Sequence, residues 1–312
     1  MTFNDIDELA KQRIPFLFIS DFEANNLEVI PLDKLQDEDV EFCIDENYTK
    51  LEHEHFLQKY PVSFEEYEHK FNYVIEKIKN AETYLLNLTQ PTKIKTSLNL
   101  NQIYEKANAH YKLRYRDKFV CFSPERFISI KNNKIHTYPM KGTIDASIPH
   151  AKEKILSNEK EMAEHIMVVD LLRNDLSIVA EEVRVEKFRY VTEIEAGDKK
   201  LLQVSSHISG KLSASWHVGL GGILKALLPA GSISGTPKKS TLKIIKDIEN
   251  YDRGFFSGVF GVFDGKNFDS GVMIRFIEKT DNGFIYKSGG GITLDSDVKG
   301  EYDELLDKVY LP

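Results

Sequence analysis

One lysine lies in a sequence that favours covalent chemistry, the stretch Pro139-Met140-Lys141-Gly142-Thr143. An amine at a strand end, kept uncharged, is a nucleophile for covalent catalysis. Gly142 permits a sharp bend of the backbone, and Pro139 lacks the N–H that strand pairing needs. The pattern predicts that Pro139 ends a hairpin and that Lys141 lies on a kinked backbone before a long helix. The alternative is a solvated or ion-paired surface lysine.

Carboxylates at helical spacing indicate a metal site. Glu301, Glu304 and Lys308 recur at i, i+3 and i+7 on the predicted last helix and therefore share one face. Glu164 lies on another predicted helix, over 159–178, and is the candidate for a third carboxylate. Hard divalent cations prefer such oxygen ligands, and Mg²⁺ uses few of them. The alternative for two carboxylates on one helix is a solvated face.

Two glycine-rich stretches are candidates for substrate binding. Gly289, Gly290 and Gly291 are predicted to connect the last strand to the last helix, where free N–H groups would receive a carboxylate or phosphate. A tight connection is the alternative reading. The stretch 230–238 contains Ser234 and Gly235 but fits neither the P-loop spacing nor Gly-x-Ser-x-Gly.

Two further charged residues complete the candidate site. Alternation over 272–276 places Arg275 on the strand face opposite its apolar neighbours. A lone arginine there suits bidentate capture of a carboxylate, with a structural ion pair as the alternative. Glu125 is a candidate general acid or, alternatively, the partner of Arg126.

Composition and charge exclude several functional classes. The chain has 312 residues, of which 41% are hydrophobic and 29% charged, as in ordinary globular proteins. A net charge of −8 argues against nucleic acid as a partner. No apolar run approaches the roughly 20 residues that span a bilayer, and 1–9 do not resemble a signal peptide. Cys43 and Cys121 read as buried strand residues. We therefore expect a reduced, cytoplasmic protein without membrane contact.

The pattern of elements predicts an α+β fold. Strands are predicted mainly in hairpins, including one over 119–138 and a meander over 255–288, which favours antiparallel sheets covered by helices. The region 33–60 has edge-strand or lid character. We expect one domain over 1–312, with a shortened N-terminal part over 1–60 and a catalytic core over 61–312. Helices are predicted over 64–81 with Ser63 as N-cap, 101–109, 159–178, 218–228, 240–250 and 298–310.

Five blocks together resemble the chorismate-utilising enzymes, and they span 119–310. The resemblance implies an α+β (α/β) fold of two largely antiparallel β-sheets packed together and flanked by helices, as in anthranilate synthase component I. It also implies chorismate, ammonia from a separate glutaminase, and Mg²⁺. The blocks are 123–127, 139–143, 163–176, 231–238 and 289–296 with 301–304.

A lysine at 141 resembles the aminodeoxychorismate synthase branch, whereas anthranilate synthases have a small residue there. Anthranilate synthase, isochorismate synthase and a non-catalytic chorismate-binding protein are the alternatives. Gln203 stands where many members have histidine, and no tryptophan-binding motif is visible. The chain also has no glutaminase signature, no lyase portion after Pro312, and a shorter N-terminal region than better-known members.

The resemblance assigns a role to each candidate residue. Lys141 would be the nucleophile, with a pKa lowered by burial and by the metal, and Glu125 the general acid. Glu164, Glu301 and Glu304 would hold Mg²⁺. The implied substrate-binding residues are Arg275, Gly289, Gly290, Gly291, Lys308, Thr143, Ser234 and Gly235.

Overall fold

The computed structural model describes residues 1–44, 55–196 and 199–312. The helices in these ranges are α1 (Phe3–Lys11), α2 (Phe64–Lys79), α3 (Leu100–Lys106), α4 (Ala151–Ser157), α5 (Glu159–Ser177), α6 (Leu220–Leu227), α7 (Gly231–Ser234), α8 (Lys238–Glu249) and α9 (Val298–Asp307). The first strands are β1 (Phe16–Ser20), β2 (Leu27–Pro31), β3 (Val40–Ile44), β4 (Leu57–Tyr60), β5 (Leu85–Thr96), β6 (Tyr111–Tyr115), β7 (Phe119–Ser123), β8 (Arg126–Lys131) and β9 (Lys134–Thr137). The remaining strands are β10 (Met140–Asp145), β11 (Glu181–Ala196), β12 (Lys199–Lys211), β13 (Gly235–Thr236), β14 (Val259–Phe263), β15 (Phe268–Val272), β16 (Phe276–Thr280) and β17 (Gly283–Ile292).

Side-chain caps explain where three of these helices begin. Ser63 accepts a hydrogen bond from the N–H of Glu66 at 3.2 Å, which confirms the predicted start of α2. Asn158 caps α5. Asp297 accepts from the N–H of Gly300 at 2.7 Å and begins α9. The Ser63 and Asp297 caps follow from sequence because short polar side chains satisfy the free N–H groups of a first turn.

The strands form two antiparallel sheets, which confirms the predicted fold class. Within the described ranges, one sheet has nine strands in the order β10-β12-β9-β8-β15-β14-β1-β2, with β11 paired to β12. The other has eight strands in the order β13-β5-β17-β16-β7-β6-β3, with β4 paired to β5. Strands β3 and β4 take the edge positions expected for 33–60, and 45–54 lies outside the described residues.

Strand alternation divides the core into layers. On β1, Phe16 and Phe18 face the main helix-covered core, whereas Leu17 and Ile19 belong to the cluster between the two sheets. All four side chains are fully buried. A strand buried on both faces reads as a continuous apolar run. The two sheets therefore form a sandwich with helices on its outer faces.

Two predicted continuous strands are instead broken between the sheets. The segment 119–130 divides at Pro124 into β7 of the eight-stranded sheet and β8 of the nine-stranded sheet. The predicted meander over 255–288 is also wrong, because β15 and β16 lie in different sheets on either side of 273–275. Hydrophobic periodicity identifies strands but not the sheet that each strand joins.

The hairpin of β8 and β9 forms, and its pairing ends before Pro139 as predicted. The chain does not leave the sheet there, however, because it continues into a further strand, β10, which pairs with β12. The carbonyl of Pro139 accepts from the N–H of Ser206 at 2.9 Å. A proline removes only its own donor, so a strand can resume directly after it.

No helix in the described part of the chain is long and apolar enough to cross a membrane.

Candidate active site

Lys141 lies in an irregular part of a strand rather than before a helix. The register of β10 against β12 shifts between Met140, which faces Ser205, and Thr143, which faces Gln203. Gly142 lies within this bulge with a φ of +92°. Left-handed backbone of this kind favours glycine, and bulges re-aim neighbouring side chains. The bulge thus directs the lysine toward helix α5.

The amine of Lys141 forms an ion pair with Glu164, with Nζ 2.6 Å from Oε2. Burial alone would lower the pKa of Lys141, but the adjacent carboxylate of Glu164, with Glu161 and Glu304, raises it. The expectation of a lowered pKa is therefore wrong for the protein without metal. A buried opposite charge at this distance outweighs desolvation.

Helix α5 presents polar groups to the interior. Glu164 and His165 are 7% and 0% exposed, whereas the apolar Ile166 is 49% exposed. Val169 and Leu172 are buried. Hydrophobic periodicity alone would not identify this face, because it assigns polar side chains to solvent even where they are buried with partners.

Glu161 is a site residue that the sequence analysis did not select. Its Oε2 is buried without a hydrogen-bond partner among the described residues. A Cβ on Gly142 would lie 3.0 Å from that oxygen. The signal was available, because Glu161 precedes Glu164 by three residues and shares its helix face.

Helix α9 brings a second pair of carboxylates to the site. Glu301 Oε1 accepts from Ser296 Oγ at 2.8 Å. Burial raises the pKa of Glu301, and the charges of Glu304 and Glu164 raise it further. Since Glu164 on α5 affects the pKa of Glu301 on α9, the carboxylates of the two helices lie within electrostatic reach of one another.

Lys308 binds both helix α9 and strand β17. Its Nζ lies 2.6 Å from Glu304 Oε1 and donates to the carbonyl of Gly289 at 2.7 Å. Burial lowers the pKa of Lys308, as do the charges of Arg275 and Lys141, against the effect of Glu304. The lysine thus brings positive charge to the part of the site formed by α9 and β17.

The three consecutive glycines belong to a strand, not to the predicted loop. Gly289, Gly290 and Gly291 of β17 pair with Thr89, Leu88 and Asn87 of β5, so they are not a row of free N–H groups. Charged side chains nevertheless approach the backbone closely at Gly290. A Cβ on Gly290 would lie 3.2 Å from Glu301 Oε2 and 3.6 Å from Lys308 Nζ. The missing side chain leaves room for the charged groups.

Glu125 lies where the chain crosses from β7 to β8. Its Oε1 accepts from Ser232 Oγ at 2.6 Å, whereas Arg126 pairs with Asp269 at 3.0 Å. Burial raises the pKa of Glu125, although Ser232, Arg275 and Lys308 oppose that rise. A raised pKa is the property that a general acid needs near neutral pH.

Arg275 lies in the link between β15 and β16, not inside a strand as predicted. Its φ is +53°, so strand alternation does not apply to it. The Nε is buried without a hydrogen-bond partner among residues 1–44, 55–196 and 199–312. The guanidinium lies 5.7 Å from the ring centre of Tyr310. An arginine with an unsatisfied buried donor is suited to an incoming carboxylate.

The other predicted binding residues lie in different local settings. Thr143 is exposed on β10. Ser234 is fully buried and donates to the carbonyl of Ala230 at 2.8 Å. A Cβ on Gly235 would lie 2.0 Å from the carbonyl oxygen of Leu85. Ser234 and Gly235 therefore support the α7–β13 connection, and their role in binding stays a prediction.

A comparison with protein families matches the model of chorismate-binding enzymes to residues 21–311. The chain belongs to the chorismate-binding enzyme family. Glu125, Lys141, Glu164, Glu301 and their neighbours thus form the candidate site of an enzyme that acts on chorismate.

Individual relatives in this family agree with the assignment. An uncharacterised PabA-like protein of Haemophilus influenzae is 49% identical over 97% of this chain and 94% of its own length. Aminodeoxychorismate synthase component 1 of Escherichia coli is 32% identical over 78% of this chain, which spans only 56% of that relative. Anthranilate synthase component I of Streptococcus pneumoniae has a TM-score of 0.67 and 26% identity, with 81% of this chain and 58% of that chain covered.

The carboxylates of this family member fit a hard cation by their chemistry. Among the described residues, no three His, Cys, Asp or Glu side chains converge closely enough to hold a metal ion as they stand. Two of the carboxylates form ion pairs with lysines, because Lys141 pairs with Glu164 and Lys308 pairs with Glu304. The buried, unpartnered Oε2 of Glu161 adds a further oxygen donor. This oxygen-only donor set suits Mg²⁺.

Proposed function

We propose that this chain is component I of an aminodeoxychorismate synthase, which converts chorismate and ammonia to 4-amino-4-deoxychorismate for 4-aminobenzoate and folate biosynthesis. The single observation that carries the proposal is the amine of Lys141, which lies 2.6 Å from the buried carboxylate of Glu164 and within electrostatic reach of Glu161 and Glu304. A lysine in this position suits attack on the substrate ring. The sequence similarity to the Escherichia coli component 1 supports the same activity.

Substrate binding would use both signs of charge in the site. Chorismate carries two carboxylates. Arg275 and Lys308 would receive one of them, because Arg275 has a buried free donor and Lys308 reaches the same region. Glu164, Glu301 and Glu304, with Glu161, would hold Mg²⁺, which when bound supplies positive charge opposite the ring carboxylate.

The covalent step begins with the neutral amine of Lys141. Its ion pair with Glu164 must open first, and the ammonium must release its proton to solvent, to which the Lys141 side chain is 31% exposed. The amine nitrogen then bonds to C2 of the ring, the two ring double bonds shift, and the C4–O bond breaks. Glu125 donates its proton to the departing hydroxyl, which leaves as water. The product of this step is a secondary ammonium adduct on Lys141.

The second step reverses the same shift of double bonds. Ammonia bonds to C4, the double bonds return, and the C2–N bond to Lys141 breaks, so the lysine leaves as a neutral amine. The new ammonium group at C4 returns a proton to Glu125. A separate glutaminase would supply the ammonia. Two displacements through one covalent intermediate replace one difficult substitution.

The test is incubation of the purified chain with chorismate, MgCl₂ and an ammonium salt, followed by product identification by mass and absorbance. We expect 4-amino-4-deoxychorismate, formed only when ammonium is present. Anthranilate, or isochorismate formed without ammonium, would overturn the proposal and identify the alternative synthase.

A further inference from the structure

We propose that Ser206 and His165 form a positioning pair that holds the amine of Lys141 against Glu164. The inference rests on the function proposed above, because Lys141 and Glu164 act in that reaction. His165 Nε2 lies 2.7 Å from Ser206 Oγ. Both residues are 0% exposed. The hydrogen bond joins helix α5 to strand β12 in the interior, directly beside the candidate site.

Ser206 connects three segments around the bulge that carries Lys141. Its Oγ accepts from the backbone N–H of Arg189 on β11 at 2.9 Å. Its own backbone N–H donates to the carbonyl of Pro139 at 2.9 Å, just before β10. The preceding residue, Ser205, pairs with Met140, where the bulge begins. The position of Ser206 is therefore set by β10, β11 and β12 together.

His165 transmits this position to the helix. It directly follows Glu164 on α5, so rotation of the helix at this turn moves both side chains. The imidazole also contacts the exposed ring of Phe188 on β11, with 5.8 Å between ring centres. The bond to Ser206 thus fixes the angle of α5 against the sheet. The Lys141–Glu164 pair spans the same gap, with one partner on each side.

Arg189 also connects strand β11 to the end of helix α4, just before α5. Its guanidinium donates to the carbonyls of Ile155 at 2.9 Å and Leu156 at 3.0 Å, at the end of α4. The backbone of Arg189 therefore binds Ser206 while its side chain binds the segment that precedes α5. Loss of the Ser206 hydroxyl would remove its hydrogen bond to the backbone of Arg189. It would also leave His165 Nε2 without a hydrogen-bond partner.

The first experiment measures the reactivity of Lys141 without substrate. Each variant is treated briefly with acetic anhydride, and acetylation of Lys141 is followed by peptide mass mapping. Glu164→Gln sets the upper limit, because it removes the ion pair itself. We expect Ser206→Ala and His165→Leu to raise the Lys141 labelling rate several-fold toward that limit. We expect His165→Gln to label as the wild type, since a glutamine amide reaches about as far as Nε2.

Ser209→Ala is the matched control. Ser209 is also buried on β12, but its hydroxyl donates to Glu186 at 2.6 Å, away from Lys141. We expect wild-type labelling in this variant. Equal Lys141 labelling in the wild type, Ser206→Ala and His165→Leu would overturn the proposal. Should His165→Leu not fold, the contrast between Ser206→Ala and Ser209→Ala decides the question alone.

The second experiment links positioning to turnover. We expect Ser206→Ala to lower kcat by about 10- to 100-fold with little change in KM, because a reacting group displaced by about 1 Å costs up to about 10²-fold in rate. His165→Gln should restore most of kcat. If the wild type does not aminate chorismate but labelling still separates the variants, the proposed reaction fails and the positioning pair stands.

Discussion

Gly290 faces Glu301 so closely that a Cβ on Gly290 would lie 3.2 Å from the carboxylate Oε2. The same Cβ would lie 3.6 Å from Lys308 Nζ. Strand β17 therefore lines the charged pocket with bare backbone. The glycine is required by the space that these two side chains occupy, because its backbone is ordinary strand.

We expect Gly290→Ala to lower kcat/KM for chorismate by about tenfold or more, because the added methyl displaces Glu301 or Lys308. Steady-state kinetics with a thermal unfolding curve is the measurement. Gly222→Ala is the control, since nothing lies within 4 Å of its Cβ position on helix α6. That variant should keep full activity and gain up to about 1 kcal/mol of stability. Unchanged kinetics in Gly290→Ala would contradict the crowding argument.

We expect Lys141→Ala to abolish the covalent intermediate. After mixing with chorismate and MgCl₂ but no ammonium, intact-protein mass spectrometry should show an adduct of chorismate minus water in the wild type only. Lys160→Ala is the control, because Lys160 also approaches Glu164, at 3.9 Å, from an exposed position. An equal adduct in the Lys141→Ala protein would remove Lys141 from the covalent role.

We expect Glu161→Gln to raise the magnesium concentration needed for half-maximal activity by about tenfold, because it removes one negative oxygen from the proposed ligand set. Glu164→Gln should abolish magnesium-stimulated turnover. Magnesium titrations of activity and of heat on binding are the measurements. Glu159→Gln, exposed on the same first turn, should titrate as the wild type. Identical titrations for Glu161→Gln and Glu159→Gln would exclude Glu161 as a ligand.

Because burial raises the pKa of Glu125, the free energy of unfolding should depend on pH. The folded state retains this proton to a higher pH than the unfolded chain does. The Glu125 contribution to the free energy of unfolding therefore falls as pH rises from the ordinary glutamate pKa through the folded value. We expect Glu125→Gln to gain stability relative to the wild type between pH 4.5 and pH 8, measured by urea unfolding. A constant difference across that range would mean that the pKa of Glu125 is not raised.

The ion pair of Glu249 and Arg253 should contribute to the stability of the folded protein. The side chains are 1% and 2% exposed, and Nη2 of Arg253 lies 2.6 Å from Oε1 of Glu249. We expect Arg253→Met to destabilise the protein by about 3–5 kcal/mol, because it leaves a buried carboxylate unpaired. Chemical denaturation measures the change.

Lys299→Met is the matched control for that prediction. Lys299 and Asp303 form the same i,i+4 pair, but their side chains are 64% and 53% exposed. We expect a change of about 0.5 kcal/mol or less. Similar losses in the two variants would show that burial does not determine the strength of these pairs.

Much of the fold was predictable because it depends on local signals. Helix α2 with its Ser63 cap, helix α5 and the β8–β9 hairpin follow from periodicity and turn residues. The assignment of strands to sheets was not predictable. The chain passes from one sheet to the other at Pro124 and again at Arg275, whose backbone is left-handed. Neither position has a local hydrophobic pattern that predicts the crossing.

The site was predictable as a set of residues but not as a geometry. Lys141, Glu164, Glu301 and Glu304 were selected by type and spacing, and the structure brings them within electrostatic reach. Glu161 was missed although its i, i+3 spacing to Glu164 placed it on the same helix face. The direction of the Lys141 pKa was wrong because it depends on a partner from a distant helix.

The two links between the sheets run side by side, and each carries one of the candidate residues. The carbonyl of Glu125 accepts from the N–H of Val272 at 3.0 Å, and the carbonyl of Arg275 accepts from the N–H of Phe122 at 3.2 Å. The spacing between acid and guanidinium is thus set by paired main chains. Lengthening a distant hairpin would leave that spacing intact, whereas deleting one residue from either link would shift the Glu125 carboxyl relative to the Arg275 guanidinium.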